Sequence, residues 1–263
     1  MEMNKQSSIQ EELFCIKFEL DALANSYCYK KSERWIKGFI PSTTESHHLK
    51  RYEFALQFTK DKKVLDIACG CGFGSYLMAK DGKASLVIGV DLDKEAIRYG
   101  NYKYSSPSVQ RFIGDATEFK FQSKFDLIVS FETVEHLKNT SEFVQNLYNN
   151  LDENGILLIS TPINRITTTT LKNPYHEIEW SFSDFHQLFK SKFSIEEIYL
   201  QDVLVEIQHS TIKKLFYKIL KKLRFPLNKK KYIKGKDLEI FRSQYDMNQC
   251  FGGYQILVLK KNL

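Results

Sequence analysis

The residues able to do chemistry cluster in the middle of the chain. Val64-Leu65-Asp66-Ile67-Ala68-Cys69-Gly70-Cys71-Gly72-Phe73-Gly74 is a short apolar run containing an acid, then a glycine-rich turn, then the start of a helical pattern. Glycines in such a turn let the backbone approach a ligand closely and adopt angles that side chains forbid. The next apolar run, Val87-Ile88-Gly89-Val90, ends in Asp91. A carboxylate there can accept hydrogen bonds from both hydroxyls of a ribose. Asp115 follows a third run, Phe112-Ile113-Gly114, where it can hold an exocyclic amino group of a base. One ligand satisfies all three positions: an adenosine derivative lying across the carboxyl ends of the strands.

The turn itself selects among adenosines. A dinucleotide-binding loop reads G-x-G-x-x-G and leaves a helix N-terminus open for pyrophosphate. Here position 75 is Ser, and Asp66 is expected at the lip of the first strand. An acid there repels phosphate and suits an ammonium beside a cationic sulfonium, which favours S-adenosylmethionine over NAD. A second constellation follows the fourth strand. Glu132, Glu135 and His136 stand at i, i+3 and i+4, so one helical turn would put them on one face. His176 follows later, in Asn173-Pro174-Tyr175-His176. Two carboxylates and two imidazoles make a divalent-cation set, Mg²⁺ or Mn²⁺ with Zn²⁺ as an alternative. The plainer reading has Glu132 and Glu135 as helix-start acids. His136 is then a general base without metal, and His176 a structural loop residue.

With these residues in view, the segment from about Lys62 to Asn164 resembles the class I S-adenosylmethionine-dependent methyltransferases. The likeness lies in the Val64–Gly74 turn, Asp91, Asp115 and the strand Phe125-Asp126-Leu127-Ile128-Val129-Ser130. It implies cofactor contacts from Asp66, Ala68, Gly70 and Gly72 in the first turn. Asp91 with Leu92, Asp115 with Ala116, and Phe131 add to these. Glu132-x-x-Glu135-His136 with a later His resembles the metal site of small-RNA 3′-terminal 2′-O-methyltransferases, and a similar run occurs in ubiquinone-pathway O-methyltransferases. His136 and Glu135 become the candidate catalytic pair. Glu33-Arg34-Trp35-Ile36, the stretch His48 to Ala55, and Asn173 to His176 look like methyltransferases of bacterial surface-polysaccharide pathways. In that reading Arg51 partners the cofactor carboxylate; otherwise it is a surface helix residue. The implied reaction is methyl transfer to a sugar hydroxyl on a nucleotide sugar or glycan. A ribose hydroxyl of RNA, a quinol-type phenol and an inactive adenosine-binding module stand as alternatives.

Periodicity supplies the elements that must position these residues. Val64–Ala68, Leu86–Val90, Val109–Ile113, Phe125–Phe131 and Ile156–Ser160 read as strands. Phe73–Lys80, Asp93–Tyr102 and Thr140–Leu151 read as the helices between them. Continuous apolar strands alternating with helices argue for a parallel sheet covered on both faces. Ser183–Phe189 adds a helix, Ser194–Leu200 a strand, and Tyr254–Leu259 a last strand, antiparallel at the edge. The expected fold is α/β: a doubly wound, mostly parallel, seven-stranded Rossmann-like sheet. Glu45–Lys60 reads as a helix opened by Ser42, Thr43 and Thr44, whereas Leu13–Leu23 fits a helix or a strand. Residues 1–60 are expected to form a helical lid. Residues 61–263 form the main domain, with a basic insert at about 207–250.

Composition bounds the rest. With 263 residues, 43% of them hydrophobic and 27% charged, a sizeable core is available and disorder throughout is excluded. The net charge of +6 conceals an asymmetry: Ile207 to Lys236 holds eleven basic residues and no acid. The body is therefore mildly acidic, unlike a uniformly basic nucleic-acid binder. Leu215, Phe216, Ile219, Leu220 and Leu223 form a stripe opposite lysines, as in a helix lying on an anionic membrane through residues 211–236. A phosphorylated glycan, RNA or plain solvent are other neighbours for it. No apolar run is long enough to span a bilayer. The polar N-terminus and five cysteines without framework spacing point to a cytoplasmic protein, with peripheral membrane contact as an option. The oligomeric state is open at this level.

Overall fold

The computed structural model describes residues 2–29, 35–171, 173–206, 232–234, 240–242 and 249–262. Two helices come first, α1 (Glu2–Leu23) and α2 (Ser42–Ala55). The alternation then runs β1 (Lys63–Ile67), α3 (Phe73–Lys80), β2 (Leu86–Asp91), α4 (Lys94–Lys103), β3 (Val109–Ile113) and β4 (Phe125–Phe131). It continues through α5 (Thr140–Asn150), β5 (Leu151–Pro162), α6 (Phe182–Phe189) and β6 (Phe193–Gln201). The short strands β7 (Leu204–Glu206), β8 (Tyr232–Lys234), β9 (Ile240–Arg242) and β10 (Cys250–Phe251) lead to β11 (Tyr254–Lys261).

Among the described residues the main sheet has the order β3-β2-β1-β4-β5-β11-β6-β9, and β10-β7-β8 form a small second sheet. The pairs from β3 across to β5 are all parallel. The expected mostly parallel Rossmann-like sheet is thus the observed fold, its seven strands joined among the described residues by the three-residue β9 as an eighth. One placement differs: β11 is antiparallel but lies inside, between β5 and β6, and the three-residue β9 forms the edge. The physical reason is visible in its sequence. Ile256, Leu257, Val258 and Leu259 are all buried, so both faces and both edges of the strand are covered.

Alternate side chains of the central strands feed two cores. Leu65, Ile67, Ile88 and Val90 pack with Phe143 of α5 and Phe185 of α6. Val64, Val87, Leu127 and Val129 pack with Met78 of α3 and with Tyr52 and Ala55 of α2. Hence α2 belongs to the sheet's cover. The ambiguity over Leu13–Leu23 also has a cause. Helix α1 carries two apolar stripes: Phe14, Cys15, Phe18 and Ala22 face the body, whereas Ile9, Leu13, Ile16 and Leu20 face outward. Superposed, the stripes mimic the alternation of a strand. The hydroxyl cluster does not cap α2, whose N-cap is Pro41. Asp93 does cap α4, accepting from the amides of Glu95 (2.7 Å) and Ala96 (3.1 Å).

The amphipathic helix expected within 211–225 and most of the basic insert lie outside the described residues, as do Glu33 and Arg34. No helix among the described residues is long and apolar enough to cross a membrane.

Strand β11 enters the sheet through Gly253, whose φ is +65° and whose carbonyl accepts from the Ile163 amide at 2.9 Å. A Cβ there would lie 2.4 Å from the Gln201 and Asp202 carbonyl oxygens, which are backbone and cannot swing away. Gly253→Ala should therefore cost about 2–3 kcal/mol, read as a lower urea midpoint. An unchanged midpoint would show that the turn relaxes freely.

Candidate active site

The strand order reverses between β1 and β4, and in open α/β sheets ligands bind outside the carboxyl ends at that switch point. A cleft of about 630 Å³ opens there. Its floor is made of backbone in unusual conformations. Ala68 (φ 56°), Gly70 (56°) and Gly72 (72°) turn the chain after β1, and Glu132 (56°) does so after β4. Such angles cost a non-glycine residue energy and are retained where surrounding structure enforces them. Here the Gly70 amide donates to Asp91 Oδ2 (2.7 Å), and the Gly72 amide to the Cys69 carbonyl (2.9 Å).

Of the expected cofactor residues, Ala68, Gly70, Gly72, Asp91 and Phe131 line the cleft. Asp91 also accepts from the Asp93 amide at 2.9 Å, so its carboxylate is aimed before any ligand arrives. Leu92 is 71% exposed and Ile113 is 60% exposed. Asp91 pairs with Ile113 in the β2–β3 register, so both exposed apolar residues neighbour the cleft's Asp91, although neither lines the cleft itself. Asp115 beyond it is exposed and fixed by Thr117, and Ala116 is half-buried.

Two expectations need correction. Asp66 is not at the lip: it is wholly buried, and accepts hydroxyls from Tyr52 (3.0 Å) and Ser75 (2.5 Å). It acts one layer behind the wall because β1 turns its side chain under α2 and α3. Arg51 is neither on the cleft wall nor on the surface. It is buried, donates to Gln201 Oε1 (2.8 Å) and His48 Nδ1 (3.2 Å), and lies over the Tyr254 ring.

The acid–histidine group is also arranged differently from one helical turn. The left-handed Glu132 ends the strand, and only Val134–His136 form a 3₁₀ turn. Glu132 turns toward β5, where the Ser160 hydroxyl donates to it at 2.6 Å. Glu135, His136 and His176 converge instead, with one ligand atom from each within 4.8 Å of the others, and Glu132 is not among them. The loop carrying His176 is held onto the turn by backbone bonds from Glu177 (2.7 Å) and Ile178 (3.2 Å) to the Glu135 carbonyl. The Tyr175 carbonyl accepts from His136 Nδ1 at 2.8 Å. A carbonyl only accepts, so Nδ1 carries the proton and Nε2 of neutral His136 presents a lone pair. Asn173 Oδ1 takes the Tyr175 amide, which directs its NH₂ group to His176 Nε2 at 3.0 Å. Burial first, and the Glu132 charge second, push Glu135 well above the usual carboxylate range. The Thr161 hydroxyl, donating at 3.0 Å, opposes that shift.

Sequence reasoning singled out the stretches holding Trp35, His48 and Tyr52 but gave these three no individual role, and it missed Tyr254 as a wall residue. Trp35, His48, Tyr52 and Tyr254 all line the cleft. Trp35 stacks on His48 and Tyr52 with centroids 5.4 and 5.6 Å apart. Burial, then the Arg51 charge, holds His48 well below its ordinary pKa. The signal was present: His48 and Tyr52 stand at i, i+4 around Arg51, a spacing that shares one helix face. Arg111 was also missed. From β3 it donates to the carbonyls of Gly72 (2.9 Å) and Tyr104 (3.0 Å), pinning the glycine turn from behind. A basic residue in a short strand with Val109, Phe112 and Ile113 was its only trace in the sequence.

Fold and cleft together define a doubly wound α/β protein whose ligand site, at the switch point, brings Glu135 together with His136 and His176. Residues 58–224 match a family model described as a methyltransferase domain, and the chain belongs to that family. It is 30% identical over 175 residues, 63% of this chain and 65% of the other, to a Mycolicibacterium smegmatis protein carrying the name "Probable S-adenosylmethionine-dependent methyltransferase". It is 36% identical over 113 residues, 40% of this chain and 46% of the other, to a ubiquinone biosynthesis O-methyltransferase of Glaesserella parasuis. Each match thus spans less than two thirds of its relative. In fold it is similar to an S-adenosylmethionine-dependent methyltransferase from Mesorhizobium loti, with TM-score 0.53 and 12% identity, covering 82% of this chain and all of that one. The family implies S-adenosylmethionine, and the residues present fit it. Asp91, held by two backbone amides, suits the hydroxyls of a ribose, the exposed Leu92 and Ile113 beside it suit a base, and among the described residues no Lys or Arg lines the wall for a pyrophosphate.

Burial raises the Asp66 carboxyl from 3.8 to about 7, against the hydrogen bonds from Ser75 and Tyr52. Between those pH values the folded chain keeps a proton that the unfolded chain has released. Stability contributed by Asp66 therefore falls as pH rises through that window and is level above it. Compared with Asp66→Asn, the wild type should lose up to about 1.4 kcal/mol per pH unit there, measured by urea unfolding at each pH. Parallel curves for the two proteins would contradict this.

Proposed function

We propose that the protein transfers a methyl group from S-adenosylmethionine to a hydroxyl oxygen, with His136 as the general base. The observation that carries the reading is the Tyr175 carbonyl on His136 Nδ1, which sets the tautomer so that Nε2 is the accepting nitrogen of a ring lining the cleft. When bound, the cofactor supplies an electrophilic methyl carbon on a sulfonium. The chain's part is to align the acceptor oxygen with that carbon and to take its proton at Nε2. Asp91 and the turn Ala68–Gly72 hold the adenosine. Trp35 and Tyr52 shield the cleft from water.

We place the acceptor as a sugar carried on a nucleotide or glycan. A second cavity of about 250 Å³ shares Glu135, Pro162 and His176 with the cleft. Trp180 and Phe251 give it aromatic faces, and Asn164 and Glu179 give it hydrogen-bonding groups, a combination suited to a ring bearing hydroxyls. The relatives named ubiquinone biosynthesis O-methyltransferases support an oxygen acceptor and keep a quinol-type phenol as the alternative. A second reading rests on the convergence of Glu135, His136 and His176. This set fits a divalent cation with three protein ligands, which would lower the pKa of a bound hydroxyl. His136 Nδ1 and His176 Nε2 are already engaged by Tyr175 and Asn173, so the cation would have to use the other ring nitrogens.

Titration calorimetry and methyl transfer from labelled cofactor test these readings. Asp91→Ala should weaken cofactor binding by about 1.5–3 kcal/mol, roughly ten- to a hundredfold. His136→Ala should bind cofactor normally and lose turnover. Label recovered in a nucleotide sugar or glycan supports the sugar reading, and label recovered only in a catechol replaces it with the quinol one. Full turnover of a metal-free preparation in excess EDTA leaves His136 as a simple base. Loss reversed by added Mg²⁺, Mn²⁺ or Zn²⁺ establishes the cation.

A further inference from the structure

Helix α1 holds the body by one face and shows an apolar seam on the other. Phe14, Cys15, Phe18 and Ala22 pack toward Ala96 and Tyr99 of α4, with Phe18 on Tyr99 at 5.0 Å between centroids. Glu11 pairs with Arg98 at 2.9 Å, and Glu19 with Lys103 at 2.8 Å. On the far side Ile9, Leu13, Ile16 and Leu20 are 50%, 60%, 46% and 59% exposed. Their spacing of four, three and four is that of d, a, d and a in a heptad. An ordinary surface helix does not keep large aliphatics in that rhythm on its solvent face.

We propose that α1 is a dimerisation helix that packs in parallel, about a two-fold axis, against α1 of a second copy of this chain. Three arguments choose this occupant. The first is the rhythm, which lets knobs at a and d enter holes on an identical partner. The second is charge. With Ile9 at d, Glu12 falls at g and Lys17 at the following e, and both are exposed. In a parallel pair g meets e five residues on, so Glu12 faces the partner's Lys17 twice across the two-fold. An antiparallel pair instead sets Glu12 toward Glu19, which its own Lys103 already pairs, and forfeits the Glu12–Lys17 contact. The third is area. The four side chains expose on the order of 400 Å² of apolar surface, the size at which a patch on a monomer is ordinarily functional. Doubled, the seam amounts to about 800 Å² of apolar surface, and the charged residues beside it extend the interface toward the roughly 1,200 Å² at which specific complexes begin. Among the described residues the body is attached to the face of α1 opposite the seam, which leaves the seam open to a second helix. The acids beside the seam also repel an anionic membrane.

Sedimentation velocity on the full chain should show twice the 30.8 kDa mass at micromolar concentration. Leu13→Glu with Ile16→Glu should give a monomer with unchanged circular dichroism, since both side chains are already exposed. Glu12→Lys or Lys17→Glu alone should raise the dimer dissociation constant about three- to tenfold, and the double swap should restore it. In a Cys28→Ser background, Leu13→Cys should oxidise to a covalent dimer, because residues at a face their own symmetry mates only in the parallel register. A monomeric wild type at 100 μM, with the seam covered by the chain itself or left bare, overturns the proposal. So does a dimer that survives Leu13→Glu with Ile16→Glu, or a swap that fails to restore it.

Discussion

A carboxyl group taken out of water is costly unless hydrogen bonds replace its hydration. Asp66 meets that cost with hydroxyls from two different helices, Tyr52 of α2 and Ser75 of α3, and so joins three elements at one buried point. The cleft depends on this junction. Tyr52 is held where it stacks on Trp35 and meets Phe131 edge-on, which builds one wall. Ser75 ties the first turn of α3 to the end of β1, which keeps the glycine turn short. Behind that turn Arg111 takes the Gly72 carbonyl, so the loop is gripped from both sides before any ligand is present.

The chemistry-bearing side of the cleft has a different organisation. The turn after β4 and the loop after β5 are stitched together through the backbone, with Glu177 and Ile178 on the Glu135 carbonyl. That seam brings His176 beside His136, ring centroids 5.0 Å apart, although forty residues separate them. It also buries Glu135, whose carboxyl is pushed up by burial and then by the Glu132 charge. The Glu132 left-handed turn is what separates the two acids in role. One is tied to Ser160, and the other sits with the imidazoles.

Arg51 shows how a charge serves as scaffold. It is fully buried, bonded to Gln201 of β6 and to His48 on its own helix, and lies over Tyr254 of β11. Through it α2 is tied to the antiparallel part of the sheet. Burial first, and the Arg51 charge second, lower the His48 pKa and so favour the neutral ring that stacks on Trp35.

What the sequence determined by itself was whatever is local. The order of strands and helices, the glycine turn and the acid Asp91 at a strand end follow from periodicity and from neighbours a few residues apart. The acids and histidines of the site were also legible as types, because those residues are scarce in strand ends. Only the tertiary structure decided which of them meet. Glu132 left the group because a single positive φ overrides the i, i+3, i+4 rule, which holds only for continuous helix. Asp66 and Arg51 changed from ligand contacts to buried ties because side-chain direction depends on what packs above the strand and helix. Strand β11 moved from edge to interior because pairing partners far along the chain, β5 and β6, compete for it. Burial, pairing and pKa are properties of neighbours brought together by the fold, and neighbours distant in the chain leave no spacing to read.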